Sequence, residues 1–358
     1  MSDKQNKQNW REYVRRIEPY VPGEQPQQQN IIKLNTNENP YPPSAGVQDV
    51  LNHLDPSLLR LYPDPDASML VSAIAKHCGV ERDEVFAGIG SDDVLAMAFM
   101  TFFRSRDPLL FPDISYSFYE VWADLFQVPF EKIPLDEDFR IRVSDYRRNN
   151  GGIIFPNPNA PTGILLPLRE IREVLDANRD SIVIVDEAYI DFGGESAVPL
   201  IREYDNLLVV QTFSKSRSGA GLRIGYAVGS RELIRHLEDV KFSFNSYTLN
   251  RLQILAGAEM IEDEDHFRKC RDMIIATRER SAARMKEMGF RVLPSAANFL
   301  FVSHPSYSGK AIFDFLKSHG IYVRHWNKER IGNYLRITIG TDEEMEQLFR
   351  VLALMIKE

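Results

Sequence analysis

The sequence predicts an α/β protein with a second, smaller α+β region, and three observations carry that prediction. From about residue 70, helix-patterned stretches alternate with short β-branched runs. Those runs are continuously apolar rather than alternating, which marks parallel strands buried on both faces. After about residue 265 the alternation gives way to one long charged helix followed by shorter strands, a pattern suited to a smaller α+β domain. At 358 residues the chain exceeds one ordinary core, so two domains are expected.

Taken in order, the N-terminal "MSDKQNKQNW" is polar and lacks the apolar core of a signal peptide, which predicts a cytoplasmic protein. A short N-terminal helix is expected next. It is set off by the Pro- and Gln-rich linker "VPGEQPQQQN" (21–30), flexible enough to let this segment close over a site as a lid. Apolar helices follow near "MLVSAIAKH" and "DDVLAMAFMTFF", then the strands "PLLF", "GGIIFPNP", "SIVIVDEAY", "NLLVVQTFS" and "IGYAVG", all expected in a parallel sheet. The long helix "HFRKCRDMIIATRERSAARMKEMG" opens the last part, and "RVLPSAANFLFVS", "GIYVRHW" and "YLRITIG" read as its strands.

Composition narrows the function. A hydrophobic fraction of 44% and a charged fraction of 26% are those of an ordinary globular protein, and no apolar run has the length of a membrane span. Two cysteines, Cys78 and Cys270, make neither a disulfide framework nor a metal-ligand spacing. A net charge of -8 argues against nucleic acid as the main partner.

In open α/β sheets ligands gather at the carboxyl ends of the strands, so the residues there are the candidates for chemistry. "FAGIGSDD" places Ser91 and Asp92 at a strand-to-helix turn whose free amides suit a phosphate. "FPNPNAPTG" supplies Asn157 and Asn159; "IVIVDEAYIDF" ends a buried strand in Asp186 with Tyr189 three residues on; "VVQTFSKS" ends in Thr212, Ser214 and Lys215. Each has an ordinary explanation. Glycine-rich turns are commonly plain turns, lysines are mostly exposed, Tyr189 suits a core, Arg223 an ion pair, and Asp186 a structural pairing. Their joint occurrence at successive strand ends is what points to a site.

The ordered set "KLNTNENPYPPS" (33–44), "LYPDPDA" (61–67), "GIGSDD" (88–93), "DISYSFY" (113–119), "NPNAPTG" (157–163), "DEAYIDF" (186–192), "TFSKSRSGAGLRIGY" (212–226) and "YLRITIG" (334–340) resembles the fold-type I pyridoxal-phosphate-dependent aminotransferases, and among them the histidinol-phosphate branch. The resemblance covers nearly the whole chain. It implies a large domain (46–265) with a mostly parallel seven-stranded sheet sandwiched by helices, a smaller C-terminal domain (266–358), and an N-terminal segment (1–45) packed against the small domain or a partner subunit.

The resemblance also implies roles. Lys215 would bond to the aldehyde of pyridoxal 5'-phosphate and, once displaced by an incoming amine, move a proton between substrate and cofactor. Arg223, Thr212, Ser214 and the amides near Ser91 and Asp92 would hold the phosphate, with glycines 219, 221 and 225 letting the backbone approach the ligand. Asp186 would pair with the ring nitrogen. Tyr189 and either Asn157 or Asn159 would bond the ring oxygen, and Tyr116 would stack on the ring; Ala160 stands where many relatives carry the asparagine for that oxygen. Arg336, with Arg324 and Tyr20, would receive the substrate. Tyr62 would reach the cofactor phosphate of the neighbouring subunit in a homodimer with shared sites, although Leu61 replaces the usual arginine before it.

The reaction implied is exchange of an amino group between histidinol phosphate and 2-oxoglutarate, yielding glutamate, in histidine synthesis. An aromatic amino-acid aminotransferase, a decarboxylase of phosphorylated amino acids using the same cofactor, and a cofactor-sensing module of a regulator are alternatives. The last is disfavoured because no DNA-binding segment precedes residue 30.

Overall fold

The computed structural model describes residues 9–26, 28 and 30–356, so the first eight residues of the N-terminal segment, Gln27 and Gln29 of the linker, and the last two residues lie outside the described residues. In chain order the strands are β1 (Ile32–Lys33), β2 (Val85–Gly88), β3 (Leu109–Pro112), β4 (Phe130–Ile133), β5 (Gly152–Pro156), β6 (Val183–Asp186), β7 (Leu207–Thr212), β8 (Gly225–Gly229), β9 (Arg291–Val292), β10 (Phe299–Ser303), β11 (Ile321–Tyr322), β12 (Arg324–His325) and β13 (Tyr334–Thr338). The α-helices are α1 (Ala45–His53), α2 (Ser68–Cys78), α3 (Gly90–Phe102), α4 (Phe118–Phe126), α5 (Leu168–Ala177), α6 (Arg231–Phe244), α7 (Arg251–Glu262), α8 (Glu264–Glu287), α9 (Gly309–Ser318) and α10 (Asp342–Ile356).

A seven-stranded sheet of order β2-β8-β7-β6-β5-β3-β4 forms the larger layer. The continuous apolar runs follow from its two covered faces. On β6, Val183 and Val185 enter one core while Ile184 enters the other; on β7, Leu207 and Val209 face the first, Leu208 and Val210 the second. With the apolar positions on both faces buried, period-2 alternation disappears.

One expectation is corrected. "IGYAVG" was expected in the parallel set, but β8 runs antiparallel to both β7 and β2. Only residues 213–224 connect β7 to β8, and among them is a single short 3-10 turn rather than a crossover helix, so the chain returns beside itself in the opposite direction. The other six strands share one direction. Their carboxyl ends therefore lie along one edge, where register places Pro156 beside Asp186 and Thr212 beside Gly225, with Gly88 on the far side of Gly225.

The second layer is a four-stranded antiparallel sheet, β12-β13-β10-β9, packed under α8, α9 and α10. The expected strand "RVLPSAANFLFVS" is two, β9 and β10, separated at residues 293–298. "GIYVRHW" splits at buried Val323, its first part pairing with β1 as β11 and its second joining β13 as β12. The N-terminal segment packs on this layer: Leu34 is buried in its core, and Asn298 donates to the Asn37 carbonyl at 2.9 Å. The expected N-terminal helix is only a 3-10 turn, Trp10–Glu12, with no buried residue, so burial does not extend it into a helix. Among the described residues no helix is long and apolar enough to cross a membrane.

Candidate active site

A cavity of about 210 Å³ opens at the carboxyl edge of the seven-stranded sheet, closed on its other side by the four-stranded sheet and the N-terminal segment. Most of the candidate residues line it, and those of the seven-stranded sheet are delivered by a strand end or the turn beyond it.

At one end, β2 leads through Ile89 into α3. Gly90 has φ +81°, and a Cβ there would lie 2.6 Å from Nη2 of Arg223. Gly225 is needed for a different reason from the one the sequence suggested. A Cβ on it would stand 2.2 Å from the Ser91 backbone nitrogen, so glycine lets β8 pass against the start of α3. Gly219 is tight against the Phe213 carbonyl, and Gly221 faces open space. Arg223 itself takes a left-handed conformation, φ +55°, secured by Gln253, whose side-chain amide donates to the Leu222 and Arg223 carbonyls at 2.9 and 3.0 Å. Its guanidinium donates to Ser214 Oγ at 3.4 Å and to Asp92 Oδ2 at 3.2 Å. The Thr212 hydroxyl donates to Ser214 Oγ at 3.0 Å, and the Ser214 amide to Thr212 Oγ1 at 3.1 Å. Hydroxyls, a guanidinium and the first amides of a helix thus converge, the donor set an oxyanion needs.

In the middle, Asp186 terminates β6 and is 4% exposed. Its Oδ2 accepts from the Tyr119 hydroxyl at 2.7 Å, and Oδ1 accepts from the Ala188 amide at 3.3 Å. Burial pushes its carboxyl up to about 6, against the opposing pull of those two donors. Tyr116 lines the wall and donates to Asp92 Oδ1 at 2.8 Å. The Tyr189 hydroxyl accepts from Asn37 at 2.9 Å, its ring set edge-on against Phe299. Lys215 follows β7; its Nζ donates to the Thr36 carbonyl at 3.0 Å and lies 5.8 Å from the Tyr189 ring centre.

Neither asparagine reaches the cavity. Asn157 is fully buried with both amide atoms committed to Leu166, accepting from its nitrogen at 2.8 Å and donating to its oxygen at 3.1 Å. The Asn159 amide nitrogen goes to Ile114 and Thr162, and the residue faces a separate hollow beside Phe139 and Glu170. Ala160 and Pro161 line the cavity instead, and neither asparagine stands on its wall.

The outer end is cationic. Arg336, on β13, donates to the Asn35 carbonyl at 3.0 Å while its Nε has no partner among the described residues. Burial lowers its affinity for its proton, and Phe299 and Trp326 each stand 5.3 Å from the guanidinium. Arg324, its register partner on β12, holds the N-terminal segment through the Val21 and Pro22 carbonyls at 3.3 and 3.4 Å. Tyr20 lies at the mouth, stacked on Phe118 at 4.2 Å. Tyr62 is elsewhere: 78% exposed and stacked on Tyr247, it does not line its own chain's cavity. Sequence reasoning missed the bond from Tyr119 to Asp186, and also Trp326 and the Thr36 carbonyl. Tyr119 and Thr36 sit inside "DISYSFY" and "KLNTNENPYPPS"; Trp326 carried no signal. Among the described residues no cluster of His, Cys, Asp and Glu could hold a metal ion.

With this geometry in hand, comparisons with known proteins converge. The family model described as aminotransferase class I and II matches residues 29–352. The chain is 53% identical to the histidinol-phosphate aminotransferase of Chromohalobacter salexigens over 96% of this chain and 97% of that one. It is 54% identical to the protein of the same name from Clostridium acetobutylicum, over 94% and 96%. A solved structure of histidinol-phosphate aminotransferase from Sinorhizobium meliloti, in complex with pyridoxal-5'-phosphate, superposes with a TM-score of 0.83 at 23% identity, covering 91% of each chain.

Proposed function

The chain belongs to the class I and II aminotransferases, and we propose that it exchanges an amino group between L-histidinol phosphate and 2-oxoglutarate, giving imidazole acetol phosphate and glutamate, a step of histidine synthesis. The observation that carries the substrate reading is Arg336: a half-buried side chain on the wall of the cavity that also holds Lys215, its buried Nε without a partner among the described residues. Such a planar fork accepts a phosphate or a carboxylate, so one group can serve histidinol phosphate in one half of the cycle and glutamate in the other. The names of the two bacterial relatives support the same substrate.

The residues present fit pyridoxal 5'-phosphate. A buried carboxylate with one weakly partnered oxygen, a hydroxyl and guanidinium cradle at a helix start, and a lysine share one cavity. When bound, the cofactor supplies an aldehyde that bonds amines and an electron-poor ring that stabilises negative charge on the neighbouring carbon. Arg223, Ser214, Thr212 and the amides at Ser91 and Asp92 would hold its phosphate. Asp186 would face the ring nitrogen and keep a proton on it, Tyr189 would donate to the ring oxygen, and Tyr116 would cover the ring. Lys215 would bond the aldehyde at rest and, with its amine free, would hold and move a proton at Nζ. Arg336 and Arg324 would anchor the substrate anion, and Tyr20 would close over its ring.

We take the active unit to be a cytoplasmic homodimer in which exposed Tyr62 reaches the phosphate of the opposite site. Residues 46–265 and 266–358 would act as its large and small domains. The test is a steady-state assay of glutamate formation from 2-oxoglutarate, comparing histidinol phosphate with phenylalanine. A kcat/KM for histidinol phosphate at least about tenfold the higher supports the reading, since arginine recognition of the anion separates the two. A preference for phenylalanine overturns it in favour of an aromatic aminotransferase.

A further inference from the structure

We propose that Tyr119 is a positioning residue for the reaction, holding Asp186 in the rotamer that presents one carboxylate oxygen to the cavity and keeping that oxygen an acceptor for a protonated ring nitrogen. The inference rests on the cofactor reading above. Tyr119 sits at the start of α4, wholly buried, and does not line the cavity, so it acts only through Asp186. Its hydroxyl donates to Asp186 Oδ2 at 2.7 Å. The ring is fixed by edge-on contacts with Phe111 at 6.0 Å and Tyr116 at 5.7 Å, so the phenol oxygen has one direction in which to donate.

That single bond divides the labour of the carboxylate. Oδ2 is occupied by a donor that cannot leave, whereas Oδ1 has only the long contact to the Ala188 amide and remains available. A dry O–H···O⁻ bond also favours the ionised acid, opposing the burial that favours the neutral one. The distinction matters chemically. A neutral Asp186 would donate its proton toward the ring nitrogen instead of accepting from it, and the ring would lose its positive charge. The other groups coupled to this pair are Asp92 on α3, which opposes ionisation, Lys215 beyond β7, which favours it, and the phenols Tyr116 and Tyr189. Burial holds the Tyr119 hydroxyl well above the ordinary tyrosine value, so it stays a donor throughout the working range.

The experiment uses holoenzyme reconstituted with pyridoxal phosphate carrying ¹⁵N at the ring, with the ring-nitrogen resonance followed against pH. Tyr119→Phe keeps the packing and removes the donor. It should move the midpoint for loss of the ring proton down by roughly one to two pH units, the effect of one hydrogen bond to a charged group, and lower kcat with little change in KM for histidinol phosphate. Replacing Tyr119 with 2,3-difluorotyrosine, a stronger donor of nearly the same shape, should move the midpoint the opposite way. If Tyr119→Phe folds poorly, the fluorinated protein alone decides. A resonance with the wild-type midpoint in either variant overturns the inference and leaves the cofactor reading intact. Failure of the wild-type protein to take up the labelled cofactor sinks both.

Discussion

At the scale of single residues, the site is a row of side chains whose roles follow from what each touches. Lys215 donates to the Thr36 carbonyl and lies against the face of Tyr189, with the carboxylates of Asp186 and Glu38 near enough to feel its charge. Lys215→Ala should retain the fold and lower turnover by roughly a thousandfold or more, the scale of losing a nucleophile and proton carrier together; single-turnover kinetics check it. Arg336→Lys keeps the charge and loses the fork, and should raise KM for histidinol phosphate by roughly ten- to a hundredfold with a smaller change in kcat, measured in the steady state. The wrong expectations at this scale have local causes. Asn157 looks like a ligand in sequence because it follows a strand, but in space its amide closes the turn to Leu166. Accordingly Asn157→Ala should destabilise the protein by about 1–3 kcal/mol in urea unfolding while leaving the spectrum of bound cofactor unchanged.

At the scale of elements, the glycine-rich turn and the start of α3 form one unit. β8 runs back beside β7 and brings Gly225 against the Ser91 amide, which sets the separation of Arg223 from the helix start. Gly225→Ala puts a methyl group 2.2 Å from that nitrogen, too close to accommodate without moving the backbone. It should weaken cofactor binding at least about tenfold by displacing the phosphate cradle, read as the dissociation constant of pyridoxal phosphate for the apoprotein. Most of these elements were legible in the sequence, because β5, β6 and β7 are short β-branched runs and α2, α3 and α8 keep helical periodicity. The direction of β8 was not. Apolar content reports burial on two faces, which parallel and antiparallel strands share, and only the missing crossover helix separates them. Likewise "GIYVRHW" reads as one strand because nothing in composition tells where a chain leaves one sheet for another.

At the scale of the whole molecule, burying acids at the site sets a pH dependence. Asp186 is pushed up to about 6 and Glu187, held by Ser196, Gln211 and the Ala197 amide, up to about 7, both by burial. Raised acids keep protons in the folded state that the unfolded chain has already released. Their contribution to stability is therefore complete below about pH 4 and is lost as pH rises through about 4 to 7. Urea unfolding of apoprotein should show Asp186→Asn flattening the part of this decline between about pH 4 and 6, by on the order of 3 kcal/mol. The proposed sharing of sites between subunits also belongs to this scale, since exposed Tyr62 does not line its own chain's cavity. Tyr62→Ala and Lys215→Ala chains, each impaired alone, should on random reassortment recover about a quarter of wild-type activity, since half the dimers then contain one intact site.

Lys215, Asp186 and Arg336 line one cavity, proposed above as a cofactor-dependent site selective for histidinol phosphate. The most direct test is the visible spectrum of the purified protein reconstituted with pyridoxal phosphate, titrated without keto acid by histidinol phosphate and, in parallel, by phenylalanine. The band of the bound cofactor should be lost at far lower concentrations of histidinol phosphate than of phenylalanine. A band that responds better to phenylalanine contradicts the substrate assignment, and no band at all contradicts the site from Lys215 outward.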